Sequence, residues 1–296
     1  RNMKKALLYS IFALGIASTT LTSCEDIFGG FLDKQPSNEL TGEQVFSDWN
    51  LTVQFHLDTY NFLRHGAGRI STTWLDAATD LAETSYGNGV RTSFNIGNFY
   101  GGSVASELVD TWEHYYRGIR KCNMLLTRIE EVPQNPADSE DKYNRDKKNY
   151  IAEARFLRAY FYWELFLRYG PIPIVTEVLD PNGDLMSKYT TRPTTKEYVV
   201  DFILEELKSC EGNLLDYETA WKSSSAGRIG QPMACALRSR IMLFMASPRY
   251  SSESGITWQQ AADVAKEFID TYGTNFALFN AKDATGATLG IENYTN

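Results

Sequence analysis

The chain has 296 residues, length for one large or two ordinary domains, and its 43% hydrophobic and 13% aromatic content supplies a packed core and excludes disorder as the main state. Lys and Arg total 29 against 37 Asp and Glu, a net charge of -8, which argues against nucleic acid or an anionic lipid surface as the partner. Three histidines (His56, His65, His114) and four cysteines (Cys24, Cys122, Cys210, Cys235), with no CxxC and no HExxH, carry no zinc or haem signature.

Residues 1–24 begin Arg1-Asn2-Met3-Lys4-Lys5, run apolar from Ala6 to Ala17 and end Leu21-Thr22-Ser23-Cys24. A basic stretch, a short apolar stretch and small residues before a break are the parts of a secretory signal peptide. The apolar run, about 12 residues, falls short of the roughly 20 that span a bilayer. Residues 1–23 are read as a processed leader. Leu-Thr-Ser-Cys has the form of a bacterial lipobox, which makes Cys24 the expected lipidation site. Acyl chains burying about 30 methylenes at ~0.8 kcal/mol each would anchor the protein permanently. Residues 24–40 then form a lipidated tether. The remaining cysteines fall among helical apolar positions and read as core thiols, with a disulfide between two of them as the alternative.

Thr41 and Gln44 make a capping-box pattern that predicts one helix running to Arg64, with Val45, Trp49, Val53, Leu57 and Tyr60 inward. From 65 to 106 periodicity dissolves among glycines and aromatics, a loop insertion too long to be a mere connection and therefore read as functional. Leu108, Trp112, Tyr115, Ile119, Cys122, Leu126 and Ile129 alternate steps of four and three, the stripe of a helix ending before Pro133. Pro136 to Lys148 reads as a charged connector. Residues 150–169 are apolar on nearly every side and stopped by Gly170-Pro171, which predicts a central helix. Ile172-Pro173-Ile174-Val175 is held extended by its prolines. Further helices open at Thr194-Glu197, at Gly230-Pro232 with Ala234, Leu237, Ile241 and Met245 inward, and at Thr257-Gln260, the last stopped by Gly273.

The expected fold class is mainly α, a tetratricopeptide-like helical stack over 41–273 with long loop insertions; residues 274–296 would begin a further C-terminal region. Trp112, Trp163 and Trp258 are expected in the core or at helix-helix contacts, and His114 at the surface or a boundary rather than as a base. Arg155, Arg158 and Arg168 are expected in buried pairs with acids such as Glu153 and Glu164 or with helix ends, since a charge on a packed helix must be compensated; anion recognition is the competing reading.

Several blocks occur in order over most of the chain: the lipobox; Phe31-Leu32-Asp33-Lys34-Gln35-Pro36; Trp112 through Cys122-Asn123-Met124-Leu125-Leu126; Glu153 through Tyr169-Gly170-Pro171-Ile172-Pro173; Arg192-Pro193-Thr194; Gly227-Arg228; and Ala246-Ser247-Pro248. Together they resemble the SusD/RagB family of outer-membrane nutrient-binding lipoproteins. The resemblance implies a helical scaffold lipid-anchored at the cell surface on the outer membrane. Such a protein captures glycans or other oligomeric nutrients and acts as a lid on a TonB-dependent β-barrel transporter, a SusC-like partner. Gln231-Pro232 departs from the family pattern, and the family's greater length implies that this chain lacks most of a C-terminal region contributing to the ligand site.

Sugar binding needs flat apolar faces for the C–H side of a pyranose and amides or carboxylates for its hydroxyls. In the 65–106 insertion the candidates are Trp74, Asp76, Tyr86, Asn88, Asn95, Asn98 and Tyr100. The competing reading is that Trp74 and Tyr100 pin the loop to the helices. With no GxSxG, Walker A or GxGxxG motif, the expectation is a non-catalytic binder without cofactor or assigned metal ligand; whether Ca²⁺ stabilises a loop stays open. A two-carboxylate glycoside hydrolase and a scaffold binding only protein partners are the rival readings.

Overall fold

The computed structural model describes residues 41–64, 105–180, 189–222 and 225–276, with short pieces at 79–82, 96–97, 182–184 and 187. The expected leader and tether, with Cys24, lie outside them. The chain divides into a leading unit, Arg1–Gln44, and a body, Val45–Asn296. The leading unit is described only at its end, where the Gln44 amide donates to Thr41 Oγ1 (3.3 Å) and the Thr41 amide to Gln44 Oε1 (2.8 Å), the reciprocal cap its sequence announces.

The expected single helix is two. Helix α1 (Gly42–Phe46) ends at a turn, and Asp48, extended at φ -134, caps α2 (Trp49–Asp58) by accepting the Leu51 amide at 2.9 Å. An Asp side chain that captures nearby amides breaks a helix that apolar spacing alone would carry through. A 3₁₀ turn, Thr59–Phe62, closes the segment. The new phase leaves Leu57 43% exposed and turns His56 and Thr52 into the interior.

Helix α3 (Ala105–Arg128) follows its apolar stripe: Tyr115, Ile119 and Cys122 are buried, as is Ile129 in the 3₁₀ turn beyond. Helix α4 (Glu140–Tyr169) starts ten residues before the expected position, because Ser139 caps it through the Lys142 amide and Glu140 and Asp141 fill its first turn. Most of the expected charged connector is thus the solvated start of the longest helix. From residue 152 onward α4 is buried on nearly all sides and ends at Gly170, whose φ of +67 favours glycine.

The Thr194-Glu197 cap forms, the Glu197 amide donating to Thr194 Oγ1 at 3.2 Å. It leads into a π-helical stretch, Lys196–Leu204, which continues as α5 (Glu205–Glu211). A short α6 (Tyr217–Lys222) is unannounced by any long period. Then come α7 (Gln231–Met245), α8 (Ser251–Ser254) and α9 (Trp258–Tyr272), whose capping box at Thr257 and Gln260 is complete. Gly273 ends α9 as expected, in a right-handed conformation at φ -58, and opens a 3₁₀ turn.

The helices pack in succession: α3 on α4, α4 on α5, α5 on α7 and α7 on α9. Among the described residues there is one isolated β-bridge, Leu215 to Gly230, and no strand. The result is the mainly helical stack expected. Trp163 is buried in the core and Trp112, at the rim, makes the expected helix contact by packing on Tyr169 of α4, whereas Trp258 is 56% exposed and is not a core tryptophan. The extended 171–179 segment is fastened by side chains: Tyr116 donates to the Pro173 carbonyl (3.0 Å), and Asn123 to those of Val175 and Glu177 (2.9 and 3.0 Å). No described helix is long and apolar enough to cross a membrane.

Candidate functional site

The best-formed candidate site lies where α6 and residues 225–231 meet. Asp216 opens α6 by accepting both the amide and the hydroxyl of Thr219 at 2.9 Å, and those bonds hold its carboxyl below the usual carboxylate range. Tyr217 and Trp221, four residues apart, share a helix face and stack with centroids 6.4 Å apart and planes 11° from parallel. Trp221 is 69% exposed. With Met233 and Phe276, both also exposed, the pair lines an apolar cavity of about 230 Å³.

Backbone bonds clasp this helix to the start of α7. The Gly227 amide donates to the Ala220 carbonyl (3.2 Å) and the Gln231 amide to that of Leu215 (2.8 Å). Gly227 has φ +92, a left-handed conformation that favours glycine, and a Cβ on Gly230 would meet Ala220 Cβ at 3.0 Å and the Leu215 carbonyl at 3.1 Å, so there the close approach favours glycine.

Arg228 joins the two sides of the site. It lines the apolar cavity and also a polar cleft of about 780 Å³ against the first turns of α4. Its Nε donates to Glu153 Oε1 at 2.9 Å, and its guanidinium lies over the Tyr150 ring, 4.6 Å from the centroid. Glu153 is fully buried; its Oε2 accepts the Tyr60 hydroxyl at 2.8 Å and lies 2.8 Å from His56 Nε2. The Tyr60 oxygen in turn accepts the Ile229 amide at 3.2 Å. Burial opposes the Arg228 charge, but the Glu153 carboxylate outweighs it and the guanidinium pKa rises. Burial and the same carboxylate push the Tyr60 hydroxyl well up, so it stays a donor. A buried carboxylate is tolerated when its lone pairs are met in this way.

The arrangement offers an exposed aromatic face continuous, through Arg228, with a cleft carrying amides and charges. That is the donor set sugar rings require. Glu211, Cys235 and Glu267 bring ligand atoms within 4.8 Å of one another, but Arg238 bridges the two carboxylates at 2.5 and 2.6 Å. Burial raises the Cys235 thiol to about 11, so it is no ready thiolate, and the cluster is a compensated ion pair.

The expected loop residues Trp74, Asp76, Tyr86, Asn88, Asn95, Asn98 and Tyr100 lie outside the described residues. Arg168 pairs with Glu164 at 3.0 Å as expected, but Arg155 and Arg158 share Glu206 at 2.8 and 2.7 Å, and Glu153 is taken by His56 and Arg228. Cys122, Cys210 and Cys235 are free and buried, which removes the disulfide alternative among them. His114 is half-buried at the boundary, its Nε2 3.0 Å from the Phe62 carbonyl oxygen. Tyr217 and Trp221 went unread because α6 is too short for a periodic signal; an aromatic pair four residues apart after an Asp was the only clue.

A family model described as "Starch-binding associating with outer membrane" matches residues 30–243. A SusD-like protein of Formosa agariphila is 25% identical over 216 residues, 72% of this chain and 39% of that protein. Among solved structures, a SusD-like protein from Bacteroides fragilis superposes with a TM-score of 0.61 at 25% identity, covering 83% of this chain and 42% of that one. A laminarin-binding SusD-like protein superposes with a TM-score of 0.55 at 20% identity, covering 82% and 47%. The chain therefore spans less than half the length of these relatives.

Proposed function

The chain belongs to the SusD-like family, and from that premise we propose that it is a non-catalytic glycan-binding lipoprotein of the outer-membrane surface, delivering oligosaccharides to a TonB-dependent transporter. The observation that carries the binding half is the Tyr217–Trp221 stack, whose Trp221 ring is exposed beside an apolar cavity, leading through Arg228 into a polar cleft. The family's starch-binding description and the laminarin-binding neighbour support a glycan as ligand. The loop residues Trp74, Tyr86 and Tyr100, with Asp76, Asn88, Asn95 and Asn98, would add a second stacking and hydrogen-bonding surface.

Affinity electrophoresis of the full chain through gels containing laminarin or starch tests the reading. Retardation is expected, and Trp221→Ala should weaken it by about 1 to 3 kcal/mol if stacking on this ring resembles stacking of bases on aromatics. Trp74→Ala asks the same of the loop. A chain that migrates unchanged in every glycan gel would reject the binding role, and product release from the glycan would favour the hydrolase. For the anchor, Cys24→Ala should shift the protein from membrane to soluble fraction without unfolding it. Delivery predicts a β-barrel transporter recovered in near-equal amount after surface cross-linking.

A further inference from the structure

We infer that the cleft beside the aromatic platform takes an anionic glycan, one bearing carboxylate or sulfate groups along its chain. The inference rests on the glycan-binding reading and names its ligand class. The whole chain is acidic, with a net charge of -8, yet the cleft is walled by Lys142, Arg145, Lys148 and Arg228 against Asp146 and Asp216.

The two acids are already engaged. Asp216 holds the Thr219 amide and hydroxyl, and Asp146 lies 2.9 Å from Lys142, which also reaches Asp138 at 3.0 Å. Arg228 faces Glu153. Arg145 and Lys148 are different. Arg145 is 66% exposed with one long contact of 3.5 Å to Asp146, and Lys148 is exposed with no acid partner among the described residues. Three residues apart on α4, they share a helix face.

Exposed cations that are weakly paired or unpaired at the wall of a concave surface focus positive potential there even in an acidic protein, while the surrounding negative charge repels anions from other faces. Arg228 lines both cavities, so an extended chain can cross from these cations to Trp221 without leaving the protein surface. Its anionic groups would meet Arg145 and Lys148 while a sugar face meets the indole.

Calorimetric titration of the full chain tests this. The ligands are an oligogalacturonate and its carboxyl-reduced form, and a sulfated galactan oligosaccharide and its desulfated form, each at low and high salt. At least one charged ligand should bind about three- to tenfold tighter than its neutral counterpart, the yield of one or two exposed ion pairs. High salt should shrink the difference, and Arg145→Gln with Lys148→Gln should abolish it; both side chains are exposed, and circular dichroism would verify an unchanged fold. Which charged ligand shows the preference separates carboxylate from sulfate recognition. Neutral forms binding as tightly as charged ones, or a preference that survives the double substitution, would overturn the anionic assignment and leave glycan binding intact. Failure of all four ligands, joined to failure of laminarin and starch, would take down the underlying reading as well.

Discussion

Glu153 shows how one residue holds a site together. Its carboxylate is at 0% exposure and binds Arg228 on one oxygen and Tyr60 on the other, which also lies beside His56. Breaking such a buried pair leaves an uncompensated charge and costs about 3 to 5 kcal/mol. Glu153→Ala should therefore lower the urea unfolding free energy by that amount. The double variant Glu153→Met with Arg228→Met, which removes both charges, should recover part of the loss; a double variant no better than the single would reject the ion-pair account. The same region shows why side-chain pairing is hard to read from sequence. Arg168 and Glu164 are one helical turn apart and were legible, whereas Arg228 and Glu153 meet only because α4 and the 225–231 segment fold together. The thiols give a second residue-scale test. Burial raises Cys122 and Cys210 to about 12 and Cys235 to about 11, so they stay protonated and enclosed. Iodoacetamide at pH 8 should spare all three in the native protein and label them in denaturant, as peptide mapping by mass spectrometry would reveal; rapid native labelling would contradict the burial.

Elements were legible where a long period or a cap marked them and illegible where a short polar signal intervened. The stripe of α3, the all-round apolar character of α4 and the Thr257 cap each led to a real helix. Asp48, Ser139 and Asp216 are single polar residues that start helices, and a reading weighted toward apolar spacing passed over all three. The contact between α3 and α4 depends on a missing side chain. A Cβ on Gly118 would lie 2.7 Å from Phe161 Cε2 and 3.1 Å from Phe62 Cβ, and Phe161 is fully buried with little room to yield. Gly118→Ala should gain helix propensity but lose about 1 to 3 kcal/mol to overpacking, read as a lower denaturation midpoint. Phe161→Leu in that background should relieve the clash, so the two substitutions should be less than additive. At the far end of the stack, Thr257→Ala removes the Gln260 amide's acceptor at 3.2 Å and should cost about 1 kcal/mol.

At the scale of the molecule, the fold class followed from composition and period, while the candidate site did not, because it is assembled from α4, α6 and the start of α7 rather than from one segment. The same dispersal governs the response to pH. Glu197 is lowered by the Thr194 amide and hydroxyl, Glu253 by the Thr195 hydroxyl and Arg249, Asp216 by the Thr219 amide, and Asp58 by Lys121. Glu267 is lowered too, burial opposing the shift and Lys208 and Arg238 overriding it. A carboxylate with a folded pKa below its unfolded value, about 4, contributes stability that is present above that value. The contribution is lost as pH falls through the folded pKa. The buried thiols have the opposite sign. Their folded pKa values stand above an unfolded value of about 8.5, so their contribution is complete below it and declines as pH rises toward the folded values. Several small contributions on separate helices should sum to a plateau of thermal stability from about pH 5 to 8, with a decline on either side. A melting temperature that rises on acidification from pH 5 to 3 would mean these carboxylates are not held ionised by the fold, and the caps and ion pairs drawn at Thr194, Thr219 and Arg238 would have to be abandoned with them.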